Sequence, residues 1–187
     1  APQKKGNLCD LLIVRNGDPD PILVESEQTL NQSYYFQHQE HAYLETEGAL
    51  AIPEPGGGVT VFANDQSPHI NRFNTASVLG LPPEQVRIIQ PPVGGSFGGK
   101  DDIGYQLTAQ VARLALNTNR PVRLILSREE SILISYKRAA MTVQLNIGMD
   151  ADGKLRAGKA KMDMDSGAYA SMSPLAAWRA TMHALGT

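Results

Sequence analysis

The chain has 187 residues, 42% hydrophobic and 19% charged, with a formal net charge of −2. That composition fits a folded globular protein of one large domain or two small ones, and the charge gives no electrostatic case for nucleic acid. No apolar run reaches the roughly 18–20 residues of a membrane-crossing helix, and the single Cys9 excludes an internal disulfide or a cysteine-built zinc site. A lone thiol fits a reducing compartment. Ala1-Pro2-Gln3-Lys4-Lys5 lacks a signal-peptide core, so a cytoplasmic setting is expected.

In chain order, residues 1–9 read as a polar entry segment. Leu11-Leu12-Ile13-Val14 reads as a strand ended by the turn signal Asn16-Gly17-Asp18-Pro19. Residues 22–25, 34–37 and 49–52 are further short strand candidates. Residues 53–58, with two prolines and three glycines, form a loop, and 59–63 return as a strand, giving a hairpin over 49–63. The period then changes. Ile70, Phe73, Ala76 and Leu79 recur every three residues, so the spacing predicts a helix over 68–79. Ser67 is its N-cap, Pro68 its first residue and Gly80 its C′ residue. Residues 86–89 read as a strand.

A second helix is predicted from about Ile103, on the stripe Ile103, Leu107, Val111 and Leu114, with Asp101 or Asp102 as its cap. Residues 122–126 read as a strand, and Ser127-Arg128-Glu129-Glu130 as a capping box into a short helix. Met141, Val143, Leu145 and Ile147 alternate as in a half-buried strand. Asp150-Ala151-Asp152-Gly153 turns it back into a strand over 155–164. The tail from Ser166 has no clear pattern. These elements predict an α+β fold: mixed, largely antiparallel sheets with about three helices, in one unit over 1–187 with a sub-boundary near residues 135–140.

Between the strand at 86–89 and the helix from Ile103 lies Gly94-Gly95-Ser96-Phe97-Gly98-Gly99-Lys100-Asp101. Four glycines in six residues permit left-handed backbone and close approach to a ligand. Strand, glycine loop and helix N-terminus is an anion-binding arrangement. The spacing Gly94-x-x-x-x-Gly99-Lys100 matches a phosphate loop up to its last position, where Asp101 replaces the Ser or Thr that binds Mg²⁺. A degenerate nucleotide-binding loop therefore stays open as an alternative, as does an interaction fragment with no ligand. His38, Glu40, His41 and Glu45 have spacings that could hold a metal on a helix. Tyr34-Tyr35-Phe36 upstream favours extended structure, and structural histidines are the simpler expectation.

Several segments, in order, resemble the xanthine dehydrogenase/aldehyde oxidase family of molybdenum hydroxylases. Gly94-Gly95-Ser96-Phe97-Gly98-Gly99-Lys100 resembles its Gly-Gly-x-Phe-Gly-Gly-Lys loop. Gln39-Glu40-His41-Ala42-Tyr43-Leu44-Glu45-Thr46 resembles its Gln-Glu-His-x-Tyr-Leu-Glu-Thr segment. Leu79-Gly80-Leu81-Pro82, Arg120-Pro121-Val122-Arg123 and Ser127-Arg128-Glu129-Glu130 also fit. The resemblance runs from about Gly6 to the C-terminus.

It implies a piece of the molybdopterin-binding catalytic subunit, which oxidatively hydroxylates an N-heterocycle or aldehyde. It further implies a molybdenum–molybdopterin cofactor, and 2Fe–2S clusters and FAD on partner domains or subunits. Gln66 falls at the position whose amide approaches the metal's oxo ligand. Phe97 and Gly98 fall beside the metal, Gly95 and Ser96 at the cofactor, and Arg138 near the substrate pocket. Asp101 stands where purine-hydroxylating members carry a substrate-contacting glutamate. The resemblance places the glutamate base and much of the pterin surface beyond Thr187. The isolated chain is therefore expected to hold no molybdenum and to be inactive without the remainder of the subunit.

Overall fold

A computed structural model of the chain describes residues 6–184, without the side chain of Asp102. Residues 1–5 of the expected entry segment lie outside the described residues. The chain divides into two compact units. One takes residues 40–138, and the other takes the chain on either side of them.

The flanking unit starts with helix α1, Pro19–Glu25, followed by strand β1, Gln28–Phe36. Residues 22–25, expected as a strand, are helical. Asp18 caps the helix by accepting from the Asp20 N–H at 3.4 Å, and Pro19 fits the first helical position. Leu11-Leu12-Ile13-Val14 forms no strand. This unit resumes after the other one with β6, Met141–Met149, and β7, Leu155–Met164, which pair antiparallel around the predicted turn. The sheet order is β1-β6-β7, with Phe36 opposite Met141 and Gln28 opposite Met149. The tail contains helix α5, Ser173–His183, which the sequence pattern missed.

The 40–138 unit carries β2, Gly48–Pro53, β3, Val59–Ala63, α2, Pro68–Leu79, β4, Val86–Ile89, α3, Asp102–Thr118, β5, Val122–Ile125, and α4, Arg128–Ile134. Its sheet order is β4-β3-β2-β5. β2 pairs antiparallel with β3 and β5, whereas β3 and β4 are parallel because α2 connects them. The fold is α+β as expected. It has five α-helices among the described residues rather than about three.

α2 and α3 pack on each other and on this sheet around Val59, Val61, Leu79, Val86, Leu107 and Val111. α3 buries Ile103, Leu107, Val111 and Ala115, and leaves Leu114 exposed. α2 departs further from its predicted stripe. Ile70 and Phe73 are 60% and 58% exposed, while Asn71, Thr75, Ala76 and Leu79 are buried. Polar groups make that contact: the Asn71 side-chain Oδ1 accepts from the Thr75 hydroxyl at 2.9 Å and from the Thr108 hydroxyl of α3 at 2.6 Å. Ser67 makes no side-chain cap to α2, and its hydroxyl donates to Asp101. Gly80 ends α2 at φ +71°, with the Leu81 N–H closing on the Ala76 carbonyl at 3.0 Å.

α4 has the full capping box: Ser127 accepts from the Glu130 N–H at 3.1 Å and Glu130 from the Ser127 N–H at 2.8 Å. Ser127→Ala should cost about 1 kcal/mol, read as a lower denaturant midpoint with unchanged slope.

Candidate active-site wall

β3 and β4 run parallel, with Phe62 opposite Ile89, so both chains leave the sheet at one end. That end carries the Asn64–Ser67 segment after β3 and the glycine loop after β4. Carboxyl ends of parallel strands are where open α/β sheets place ligands. The two segments are joined directly. The Gln66 side chain accepts from the Ser96 hydroxyl and donates to Asp101 at 2.8 Å. The other Asp101 oxygen accepts from the Ser67 hydroxyl. Ser96, Gln66, Asp101 and Ser67 thus form one chain of hydrogen bonds. Asp101 precedes α3 but makes no side-chain cap to it; each of its oxygens accepts a bond within that chain. The alternative cap, the Asp102 side chain, lies outside what the structure describes.

The loop has an unusual backbone. Gly95 and Gly98 have φ of +95° and +91°, and Phe97 has φ +52°. A left-handed phenylalanine is strained and persists only where its surroundings fix it. The Gly99 N–H donates to the Ser96 carbonyl at 2.8 Å, and the Gly98 carbonyl accepts from Tyr136 at 2.5 Å. The Phe97 ring is 77% exposed. Among the described residues, the N–H groups of Gly95, Ser96, Phe97 and Gly98 donate to no other group.

Close packing sets the glycine pattern at two positions. A Cβ on Gly94 would lie 2.6 Å from the Glu45 Cβ, and one on Gly99 would lie 2.7 Å from the Tyr43 ring and 2.9 Å from His41. Glu45 accepts from the Gly94 N–H at 2.8 Å and from Lys100 at 3.1 Å, on the same oxygen. The Lys100 side chain is 1% exposed, with its ammonium 4.6 Å from the centre of the Tyr43 ring. Tyr43 in turn donates to buried Glu47. Burial and the Glu47 contact push the Tyr43 phenol well above its ordinary range. Burial lowers the His41 pKa, favouring a neutral imidazole.

Lys100 decides against the phosphate-loop alternative. A lysine that served phosphates would reach out of the loop, and this one turns inward onto Glu45 and Tyr43. Among the described residues no three His, Cys, Asp or Glu side chains are grouped so as to hold an ion. Glu40 pairs with Lys137 at 2.7 Å, and Glu45 is committed to the loop. Of the residues the sequence marks, Gly95, Ser96, Phe97, Gly98, Gln66 and Asp101 come together. Arg138 is exposed, two residues after Tyr136. Sequence reasoning missed Ser67 and Tyr136 as members of this cluster. Their partners lie 34 and 38 residues away, and neither carries a local motif.

The whole chain, residues 1–187, matches the family model of the molybdopterin cofactor-binding domain. The chain belongs to that family. It is 38% identical over 97% of its length to a probable xanthine dehydrogenase subunit of Bacillus subtilis (strain 168). It is 37% identical over 96% of its length to the nicotinate dehydrogenase large molybdopterin subunit of Eubacterium barkeri. Among solved structures, the aldehyde oxidoreductase of Desulfovibrio gigas superposes on 89% of this chain with a TM-score of 0.81 and 27% identity. The chain spans 24%, 42% and 18% of these three proteins. These matches agree with the resemblance to the xanthine dehydrogenase/aldehyde oxidase family. No helix among the described residues is long and apolar enough to cross a membrane.

Two predictions test the loop's support. Gly99→Ala should destabilise the chain by about 1–3 kcal/mol through overpacking on Tyr43 and His41, measured by denaturant unfolding. Burial opposes the Glu45 charge, but the Gly94 N–H and Lys100 outweigh it and hold its pKa below the ordinary 4.5. A depressed folded pKa contributes stability above 4.5 that is lost as pH falls through the folded value. Stability should therefore fall in acid below pH 4.5, and Glu45→Gln should flatten that part of the profile.

Proposed function

We propose that this chain forms one wall of the active site of a molybdenum hydroxylase that oxidatively hydroxylates an N-heterocycle or an aldehyde. The observation that carries this reading is the hydrogen-bonded Ser96–Gln66–Asp101–Ser67 chain beside a glycine loop in which the N–H groups of Gly95, Ser96, Phe97 and Gly98 have no partner among the described residues. These donors suit an oxygen-rich anionic group such as the metal end of a molybdopterin. Tight glycine backbone at Gly95 and Gly98 leaves room for its approach. When bound, the molybdenum–molybdopterin supplies the redox centre that removes two electrons from the substrate carbon.

Gln66 has its carbonyl fixed by Ser96 and one amide hydrogen fixed by Asp101. Its second amide hydrogen serves as a preorganised donor to the cofactor's oxygen, together with the Gly98 N–H. Gly95 and Ser96 hold the loop against the cofactor. The exposed Phe97 ring gives an apolar surface for a flat substrate. Asp101 fixes Gln66 and keeps lone pairs for a substrate N–H, and Arg138 serves a polar substituent on the same substrate. The remainder of the subunit completes the cofactor site. Domains or subunits bearing 2Fe–2S clusters and FAD take the electrons, in the cytoplasm.

The test uses the full-length molybdopterin subunit in its native assembly. The wild type should contain molybdenum and be reduced by an aldehyde or an N-heterocycle. Gln66→Ala should keep the metal but slow reduction by substrate about a hundredfold, as loss of one preorganised donor does. The substrate Kd should change much less. A wild-type assembly without molybdenum, or unchanged reduction in Gln66→Ala, would remove the assignment.

A further inference from the structure

Tyr136 lies just after α4, and no sequence motif marks it. Its hydroxyl donates to the Gly98 carbonyl at 2.5 Å and accepts from the Asp101 N–H at 3.2 Å. Its ring stands edge-on to His41, with centroids 6.0 Å apart and planes at 79°. His41 packs against Gly99. One hydroxyl therefore ties the tip of the glycine loop to the residue that precedes α3.

The Gly98–Gly99 peptide is gripped on both sides. Tyr136 holds its carbonyl, and the Ser96 carbonyl holds its N–H at 2.8 Å. That grip matters because Phe97, just before it, sits at φ +52°. Without the grip, the strain would relax by rotation about Phe97 and Gly98. The N–H groups of both residues would then point elsewhere. At the other end, Tyr136 fixes the backbone of Asp101, whose carboxylate fixes Gln66. Both halves of the donor set meet at this phenol.

We infer that Tyr136 is a positioning residue of the active-site wall: its hydroxyl sets the direction of the Phe97 and Gly98 N–H groups and, through Asp101, of the Gln66 amide. It acts through the loop. The inference rests on the function proposed above and names a group that function does not require.

The experiment compares wild type, Tyr136→Phe and Ser127→Ala in the full-length subunit within its native assembly. Ser127→Ala weakens α4 at its far end and does not touch the loop, so it reports any general effect of loosening that helix. Readouts are molybdenum content, the molybdenum EPR signal and steady-state kinetics. Tyr136→Phe, which removes both hydrogen bonds of the hydroxyl, should retain the metal, shift the EPR signal and lower kcat at least about tenfold, with KM within about twofold. Ser127→Ala should lower the thermal midpoint but keep the wild-type signal and kcat. With metal bound, an unchanged signal and kcat in Tyr136→Phe would overturn the role of Tyr136 and leave the proposed function standing. Equal shifts in both variants would also overturn it, as an effect of helix stability. A wild-type assembly without molybdenum would sink the function and this inference together. If Tyr136→Phe assembles poorly, fluorotyrosine at position 136 keeps the ring and strengthens the donated bond. It should move the EPR signal, and an unmoved signal would overturn the role.

Discussion

One oxygen of Glu45 gathers both ends of the glycine loop. It accepts from the Gly94 N–H where the loop begins and from Lys100 where it ends. The Glu45 N–H returns a bond to the Gly94 carbonyl at 3.2 Å. Removing an ammonium from water is costly unless it is paired, and Lys100 is both paired and set against the Tyr43 ring. Tyr43 is itself held: Arg128 donates to its carbonyl at 2.6 Å, and its hydroxyl ends on Glu47. The loop is therefore anchored to a charged cluster built on the buried Lys100, Tyr43 and Glu47, and its strained tip can persist because its ends cannot drift.

This anchoring explains how a glycine-rich segment can be rigid. Glycine loses more conformational freedom on folding than any other residue. Here two of the glycines are demanded by contact, Gly94 against Glu45 and Gly99 against Tyr43 and His41. Gly104, one turn into α3, meets the same condition against Asp65. Burial raises the Asp65 pKa, while the Asn71 and Ser67 hydrogen bonds oppose that shift. The polar contact between α2 and α3 thus continues into the segment that presents Gln66. Packing, charge and presentation of the donors are one structure in the 40–138 unit.

Much of this was legible wherever local chemistry decides the outcome. The hairpin over 49–63, the Gly80 stop, the Ser127 capping box and the β6–β7 turn each follow from a few neighbouring residues. The order of the motifs pointed to the family. What the sequence hid depends on distant partners. Residues 22–25 are apolar enough for a strand, but Asp18 and Pro19 start a helix there. Asn71 and Thr75 face inward because Thr108 answers them from α3. The spacing of Gly94, Gly99 and Lys100 suits a phosphate cradle equally well. Glu45, 55 residues from Lys100, is what turns the lysine inward.

The division of the chain also constrains when each part can form. β1 must pair with β6, and Phe36 meets Met141 across everything between residues 37 and 140. A ribosome releases the whole 40–138 unit before it makes the partner of β1. Until then β1 lacks its sheet neighbour, since among the described residues its one ladder is with β6. Closing so long a loop as open chain carries an entropy cost that grows with the logarithm of its length. A unit that has already folded replaces that loop with a compact body, so the β1-β6-β7 sheet depends for its assembly on the unit inserted in its sequence.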